Sequence, residues 1–275
     1  MRIALLGLGE VGGILAADLA ARGWPVARAF DPARPDKGVE LAAGAAEAVA
    51  GAQLVISAVT AAAAEGAARD AAPGLAPDAW FLDLNSCAPE TKRAIAAVVE
   101  GRGARMVEAA VMAPVPPRRL RTPMLLGGPH AGAFLPVAAA LGLDAQVFAG
   151  PLGGASAVKM CRSVMVKGLE ALWAESLLAA RHHGVERAVL DSLAELLPGV
   201  DAPELARYMI GRALVHGKRR AEEMREAART VAEAGLEPLM AAATAGRQDW
   251  AAGRRAAWDG AAPLEALLDA IRRLD

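Results

Sequence analysis

Three glycines within six residues, Gly7-Leu8-Gly9-Glu10-Val11-Gly12, constrain this chain more than any other feature. They follow a short apolar run at residues 2–6 and precede apolar residues at helical spacing over 11–21, which stop at Gly23. The order strand, tight turn, helix gives each glycine a task. Gly7 permits the turn, Gly9 lets backbone amides approach a pyrophosphate, and Gly12 lets helix and strand pack closely, while the helix amino terminus adds partial positive charge. A second apolar run, 26–30, ends at Asp31, nineteen residues after Gly12. That is close to the ~20 at which a carboxylate accepts the hydroxyls of an adenosine ribose. A glycine-rich turn in an ordinary α/β sheet would explain the glycines alone, but not Asp31. The pattern predicts a dinucleotide held by Gly7, Leu8, Gly9, Glu10, Val11, Gly12 and Asp31, with the Glu10 side chain turned away. Ala58-Val59-Thr60, at the end of a third apolar run over 54–59, completes the expected site. Asp31 favours NAD, because its charge would repel the extra phosphate of NADP. Arg28 and Arg34 could pair with that phosphate, so NADP stays open, and a solvated loop charge is the other reading of Arg34.

Further apolar runs at 80–84, 105–111, 124–126 and 145–148 alternate with segments of helix length, including 129–141. This predicts an α/β Rossmann-type fold, a doubly wound parallel sheet covered on both faces. After Pro151-Leu152-Gly153-Gly154 no strand pattern recurs. The remainder reads as all-helical, opening with a long helix over 155–183 and punctuated at Gly184, Pro198-Gly199, Pro203, Gly217, Gly235 and Gly260. The expected domains are therefore 1–152, binding the dinucleotide, and 153–275, an all-α domain for substrate and dimerisation. A length of 275 residues suits one to two domains.

Composition removes several function classes. With 55% hydrophobic and 22% charged residues the chain is far from the disordered class. Thirty basic against thirty-one acidic side chains leave a net charge of −1, so no global field holds nucleic acid or an anionic membrane surface. The uncharged stretch from Thr122 to Leu143 is broken by Gly127, Gly128, Pro129, Gly132, Pro136 and Gly142, and does not read as a membrane span. Glu10 interrupts the apolar start before it reaches signal-peptide length. Two cysteines, Cys87 and Cys161, read as buried thiols of a cytoplasmic protein. His130, His182 and His183 lack metal-ligand spacing, so no metal is expected. Trp24 and Trp173 read as core, and Arg118, Arg119 and Arg121 as surface charge.

Lys159 interrupts the apolar opening of the long helix, with Ser163 and Glu170 on nearly its own face and Arg162 to one side. Such a lysine is either buried for chemistry or snorkelling. The glycine motif, Asp83-Leu84-Asn85-Ser86-Cys87-Ala88-Pro89-Glu90-Thr91, and the segment from Gly154 to Lys159 together resemble the β-hydroxyacid dehydrogenases, the superfamily of 3-hydroxyisobutyrate and 6-phosphogluconate dehydrogenases. The Lys-Met-x-Arg-Ser-x-x-x-Lys-Gly run and His216-Gly217-Lys218-Arg219-Arg220-Ala221-Glu222-Glu223 resemble a lesser-known 6-phosphogluconate-dehydrogenase-like branch. The resemblance implies Lys159 as general acid/base and Ser86 on the substrate carboxylate. Two positions depart from it. Met112-Ala113-Pro114 stands where the family has Ser-Gly-Gly, and Arg162 where it has asparagine, so no substrate name transfers. Its late Lys-Asp pair falls near Glu222-Glu223, where His216 and Arg219 are either substitutes or a solvated basic face. The chemistry needs a base for the hydroxyl proton and a cation for the carboxylate, which assigns Lys159 to the first, Arg162 to the second, and Ser86 and Ser163 as donors. The expected protein is an NAD(P)-dependent dehydrogenase of a small hydroxy- or oxo-carboxylate. Apolar helix faces and the resemblance together point to a homodimer. An imine reductase of the same fold usually lacks the lysine, and a catalytically silent nucleotide-binding redox sensor would not need Lys159 and Ser86.

Overall fold

The computed structural model describes residues 1–274 apart from 34–35 and 194–195. Its strands are β1 (Ile3–Leu6), β2 (Val26–Phe30), β3 (Leu54–Ser57), β4 (Trp80–Asp83), β5 (Arg105–Val111), β6 (Met124–Gly127) and β7 (Ala145–Val147). Between them run α1 (Glu10–Ala21), α2 (Ala45–Val49), α3 (Ala64–Ala71), α4 (Pro89–Glu100), α5 (Val115–Arg118) and α6 (Ala131–Leu141). Then follow α7 (Gly154–His183), α8 (Glu186–Ser192), α9 (Ala202–Glu233), α10 (Leu239–Ala252) and α11 (Leu264–Arg272). The chain divides into two compact units, Met1–Met160 and Cys161–Asp275.

In the first unit the strands form one sheet in the order β2-β1-β3-β4-β5-β6-β7. The neighbours from β2 through β5 pair in parallel. The expectation of a wholly parallel sheet needs one correction: β6 runs antiparallel to β5, and β7 then pairs parallel with β6. Only the four-residue α5 and one 3-10 turn connect β5 to β6. A parallel crossover ordinarily needs a full helix laid across the sheet, so this short connection folds straight back.

Strand side chains alternate between two cores because successive residues point to opposite faces. Leu5, Ile56, Leu82 and Val107 face one side, covered by Leu15 and Leu19 of α1 and by Phe134 and Leu141 of α6. Leu6, Val55, Phe81 and Met106 face the other, covered by Val49 of α2, Ala68 of α3 and Ile95 and Val99 of α4. Burial on both faces explains why these strands read as continuous apolar runs. Trp24 packs at the margin of the first core.

The described residues of the second unit contain helices and no strand. Trp173, Leu177, Ile210, Leu214, Leu267, Leu268 and Ile271 form its core. Asp201 caps α9, its Oδ1 accepting from Glu204 N at 3.1 Å, and Pro203 sits in the first turn where its missing N–H costs nothing. Contrary to the sequence expectation, Gly217 does not break this helix. A Cβ there would lie 2.5 Å from the Gln248 carbonyl of α10, and one at Gly211 would meet the Trp258 ring at the same distance. These glycines serve close packing. Cys87 is buried, whereas Cys161 is exposed, which corrects the expectation of two buried thiols. Among the described residues no helix is long and apolar enough to cross a membrane.

Candidate active site

After β1 the chain moves to β2 on one side, then returns to β3 on the other. Connections therefore diverge between β1 and β3, and open α/β sheets bind ligands at the carboxyl ends of such strands. Gly7 lies there with φ of 88°, and a Cβ would stand 2.6 Å from the Ala58 carbonyl. A Cβ at Gly12 would collide with the Gly7 carbonyl. Gly9 differs: it is exposed, and nothing lies within 4 Å of where its Cβ would be. Two glycines thus serve the fold, while the third leaves space beside the amino terminus of α1. That combination fits a dinucleotide pyrophosphate, which the backbone amides and the helix dipole would hold.

Asp31 Oδ2 accepts from Leu8 N at 2.7 Å and Oδ1 from Ala33 N at 2.8 Å. The carboxylate ties the end of β2 to the glycine turn, and each oxygen keeps lone-pair capacity for a ribose hydroxyl. The Leu8 side chain is core, so Leu8 can serve a ligand only through its backbone, and Val11 packs at the core margin. Glu10 is exposed in the first turn of α1, Ala58 and Val59 are half-buried, and Thr60 is exposed. Arg28 pairs with Glu40 at 2.8 Å. Arg34 lies outside the described residues. Arg119 reaches Asp18 on α1 at 2.9 Å, so it is a paired rather than a merely solvated charge. The open space at Gly9 carries a prediction. Gly9→Val should fold normally and bind NADH and NADPH about tenfold or more weakly by calorimetry, and unchanged affinity would place the pyrophosphate elsewhere.

Beyond β4, Lys159 Nζ donates to Ser86 Oγ at 2.6 Å, and both residues are half-buried. The motif residues Asp83 and Asn85, together with Lys92 and Glu108, which sequence reasoning missed, support this pair. Asp83 is fully buried, its Oδ1 accepting from Asn85 N at 3.0 Å and its Oδ2 from Lys92 Nζ at 2.8 Å. Asn85 Nδ2 donates to Ser57 Oγ at 2.9 Å. Lys92, on the inner face of α4, is also fully buried. Burial, the largest influence, pulls its pKa down, but Asp83, Cys87 and Glu108 together outweigh it and hold the ammonium above its ordinary range. Glu108, buried on β5, accepts from Gly153 N at 2.9 Å, Ala155 N at 3.3 Å and Ser156 Oγ at 2.9 Å. Lys92 stands every third or fourth residue with Ile95, Ala96 and Val99, so its place on a buried stripe was the available signal. Glu108 is an acid flanked by Met106, Val107, Ala109 and Ala110 within β5.

The other expected site residues fall in the second unit. Arg162 is exposed. Ser163 is buried and accepts from Lys167 Nζ at 2.9 Å. Lys167 also pairs with Glu223 at 2.9 Å, and Glu223 with Arg219 at 2.7 Å. Burial pushes the Lys167 pKa down despite Glu223, and pushes the Glu170 carboxyl up despite its contacts with Arg220 and Arg212. Ser163 is therefore held in a buried ion network, and Arg219, itself exposed, pairs with Glu223 at the edge of that network. His216 is half-buried on the same α9. Among the described residues no group of three or more His, Cys, Asp or Glu could hold a metal ion.

A glycine turn at the strand crossover, a carboxylate closing β2 and a helical second unit define an NAD(P)-binding oxidoreductase fold of Rossmann type. The family model described as the NAD binding domain of 6-phosphogluconate dehydrogenase matches residues 2–141, and the chain belongs to that family, within the β-hydroxyacid dehydrogenases. Residues 180–251 match a domain of unknown function, DUF1932. A conserved hypothetical protein of known structure from Sinorhizobium meliloti is 35% identical, with a TM-score of 0.76 over 100% of this chain and 97% of that one. A 3-hydroxyisobutyrate dehydrogenase from Pseudomonas aeruginosa is 29% identical over 204 residues, 70% of this chain and 68% of the relative. An uncharacterised 28.5 kDa protein from Methanothermus fervidus is 26% identical over 160 residues, 58% of this chain, and the match spans 61% of that protein's length, less than two thirds.

Proposed function

We propose that this chain is an oxidoreductase that moves hydride between a nicotinamide dinucleotide and the hydroxyl-bearing carbon of a small hydroxycarboxylate, with Lys159 as general acid/base. The 2.6 Å hydrogen bond between Lys159 Nζ and Ser86 Oγ carries this reading. When bound, the cofactor supplies the hydride acceptor. Lys159, as the free amine, takes the hydroxyl proton during oxidation and, as the ammonium, returns it during reduction. Ser86 Oγ accepts from Lys159, so its own proton is free to donate to a substrate carboxylate oxygen. Arg162, one helical turn beyond Lys159 on α7 and exposed, is the candidate for the charge that anchors this carboxylate. NAD is the proposed cofactor: Asp31 closes β2, and Glu40 already engages Arg28.

Met112-Ala113-Pro114 and Arg162 depart from the family pattern, so no particular hydroxycarboxylate is assigned as the substrate. The test is nicotinamide reduction over a panel of hydroxycarboxylates, run beside a panel of amines. Turnover with a hydroxyacid supports the reading, and turnover with amines alone replaces it with imine chemistry.

A homodimer belongs to the same proposal. Met165, Leu169 and Leu172 recur every three or four residues on α7 and remain exposed, as apolar stripes awaiting a partner do. Sedimentation at micromolar concentration should give about 56 kDa, twice the chain mass of 28.2 kDa. A clean monomer contradicts it.

A further inference from the structure

Glu108 is a fully buried carboxylate that the proposed chemistry does not use. Its partners are not scattered. Gly153 N and Ala155 N on one oxygen and Ser156 Oγ on the other all belong to the start of α7. Three bonds to one terminus fix a helix against both translation and rotation about its axis. Lys159 follows Ser156 by three residues, so the two stand nearly above one another on that helix. The strand ladder pairs Glu108 with Asp83, the residue that holds Asn85 and through it the Ser86 loop. Two neighbouring carboxylates, one at the end of β4 and one midway along β5, thus hold the two halves of the Ser86–Lys159 pair. Gly127, opposite on β6, has no room for a Cβ because the Glu108 carboxylate occupies that space.

We infer that Glu108 is a positioning residue: by capping α7 it sets the rotational phase that brings Lys159 Nζ to Ser86 Oγ. The inference rests on the pair being the reacting centre, but it concerns the geometry of the pair and is testable without a substrate. Glutamine at position 108 keeps the shape but removes the charge and puts an N–H where one carboxylate oxygen stood; facing Ser156, that N–H is accepted only if the hydroxyl reverses, so the cap is weakened on one side. Because an amine engaged in a hydrogen bond is less available to an electrophile, trinitrobenzenesulfonate labelling of Lys159, located by peptide mass mapping, reports on the pair.

Ser86→Ala should raise Lys159 labelling about fivefold, the worth of one ordinary hydrogen bond. Glu108→Gln should raise it in the same direction by a smaller factor, while labelling of the exposed Lys218 stays constant. Ser156→Ala removes one of the three cap bonds and should move Lys159 in the same direction by a smaller factor. If Glu108→Gln melts cooperatively and leaves Lys159 labelling unchanged while Ser86→Ala raises it, the positioning role is wrong. If Glu108→Gln does not fold, Ser156→Ala decides: unchanged labelling there reduces Glu108 to a structural cap. If Ser86→Ala itself changes nothing, the Ser86–Lys159 pair and the function built on it fall first.

Discussion

Lys159→Ala is expected to lower kcat by about 10²–10⁴ while leaving dinucleotide affinity within about twofold. The asymmetry follows from position. The contacts proposed for the dinucleotide gather at the glycine turn and Asp31, whereas Lys159 meets Ser86 beyond β4. Alanine removes the group proposed to take the hydroxyl proton and none of those proposed to hold the pyrophosphate. A snorkelling lysine would give the opposite pattern, with kinetics unchanged and a modest loss of stability. A Lys159→Ala enzyme keeping more than about a tenth of wild-type kcat on a turnover substrate overturns the general acid/base role.

Lys92→Met should destabilise the first unit by about 3–5 kcal/mol, because it leaves the Asp83 carboxylate buried without its cation. Urea unfolding of the first unit measures this, and a loss below about 1 kcal/mol would mean that Asp83 finds other partners. The same pair has a pH signature. Lys92 titrates above its ordinary value when folded, so its contribution is complete below the lysine range of about 10.4 and fades as pH rises through the raised value. Lys167 has the opposite sign, since burial lowers its folded value and its cost diminishes as pH rises. Wild type should therefore lose more stability than Lys92→Met between neutral and strongly alkaline pH.

The sheet was legible because each buried strand is an apolar run bounded by a turn, and the glycine turn because Gly7 and Gly12 meet backbone they cannot avoid. The reversal of β6 was not, since antiparallel pairing depends on the length of a connection whose own fold carries no apolar period. Gly217 misled for a related reason: a glycine that ends a helix and one that admits a neighbouring helix look alike in sequence, and only the approach of Gln248 separates them. Within the candidate site, Lys159 and Ser86 were found through motif and resemblance. Their supports were not. Lys92 and Glu108 are charged residues among apolar ones, and local sequence does not show that Asp83 or the start of α7 lies across from them.

Transfer of hydride from carbon to nicotinamide is the central claim, and isotope placement tests it most directly. A hydroxycarboxylate substrate carrying deuterium on its hydroxyl-bearing carbon is incubated with the enzyme and oxidised dinucleotide, and the reduced dinucleotide is analysed by mass spectrometry. The expected result is one deuterium per reduced nicotinamide, formed by wild type and about 10² or more slower by Lys159→Ala. Oxo-acid formation with the deuterium released to water, or reduced dinucleotide without label, would contradict the account.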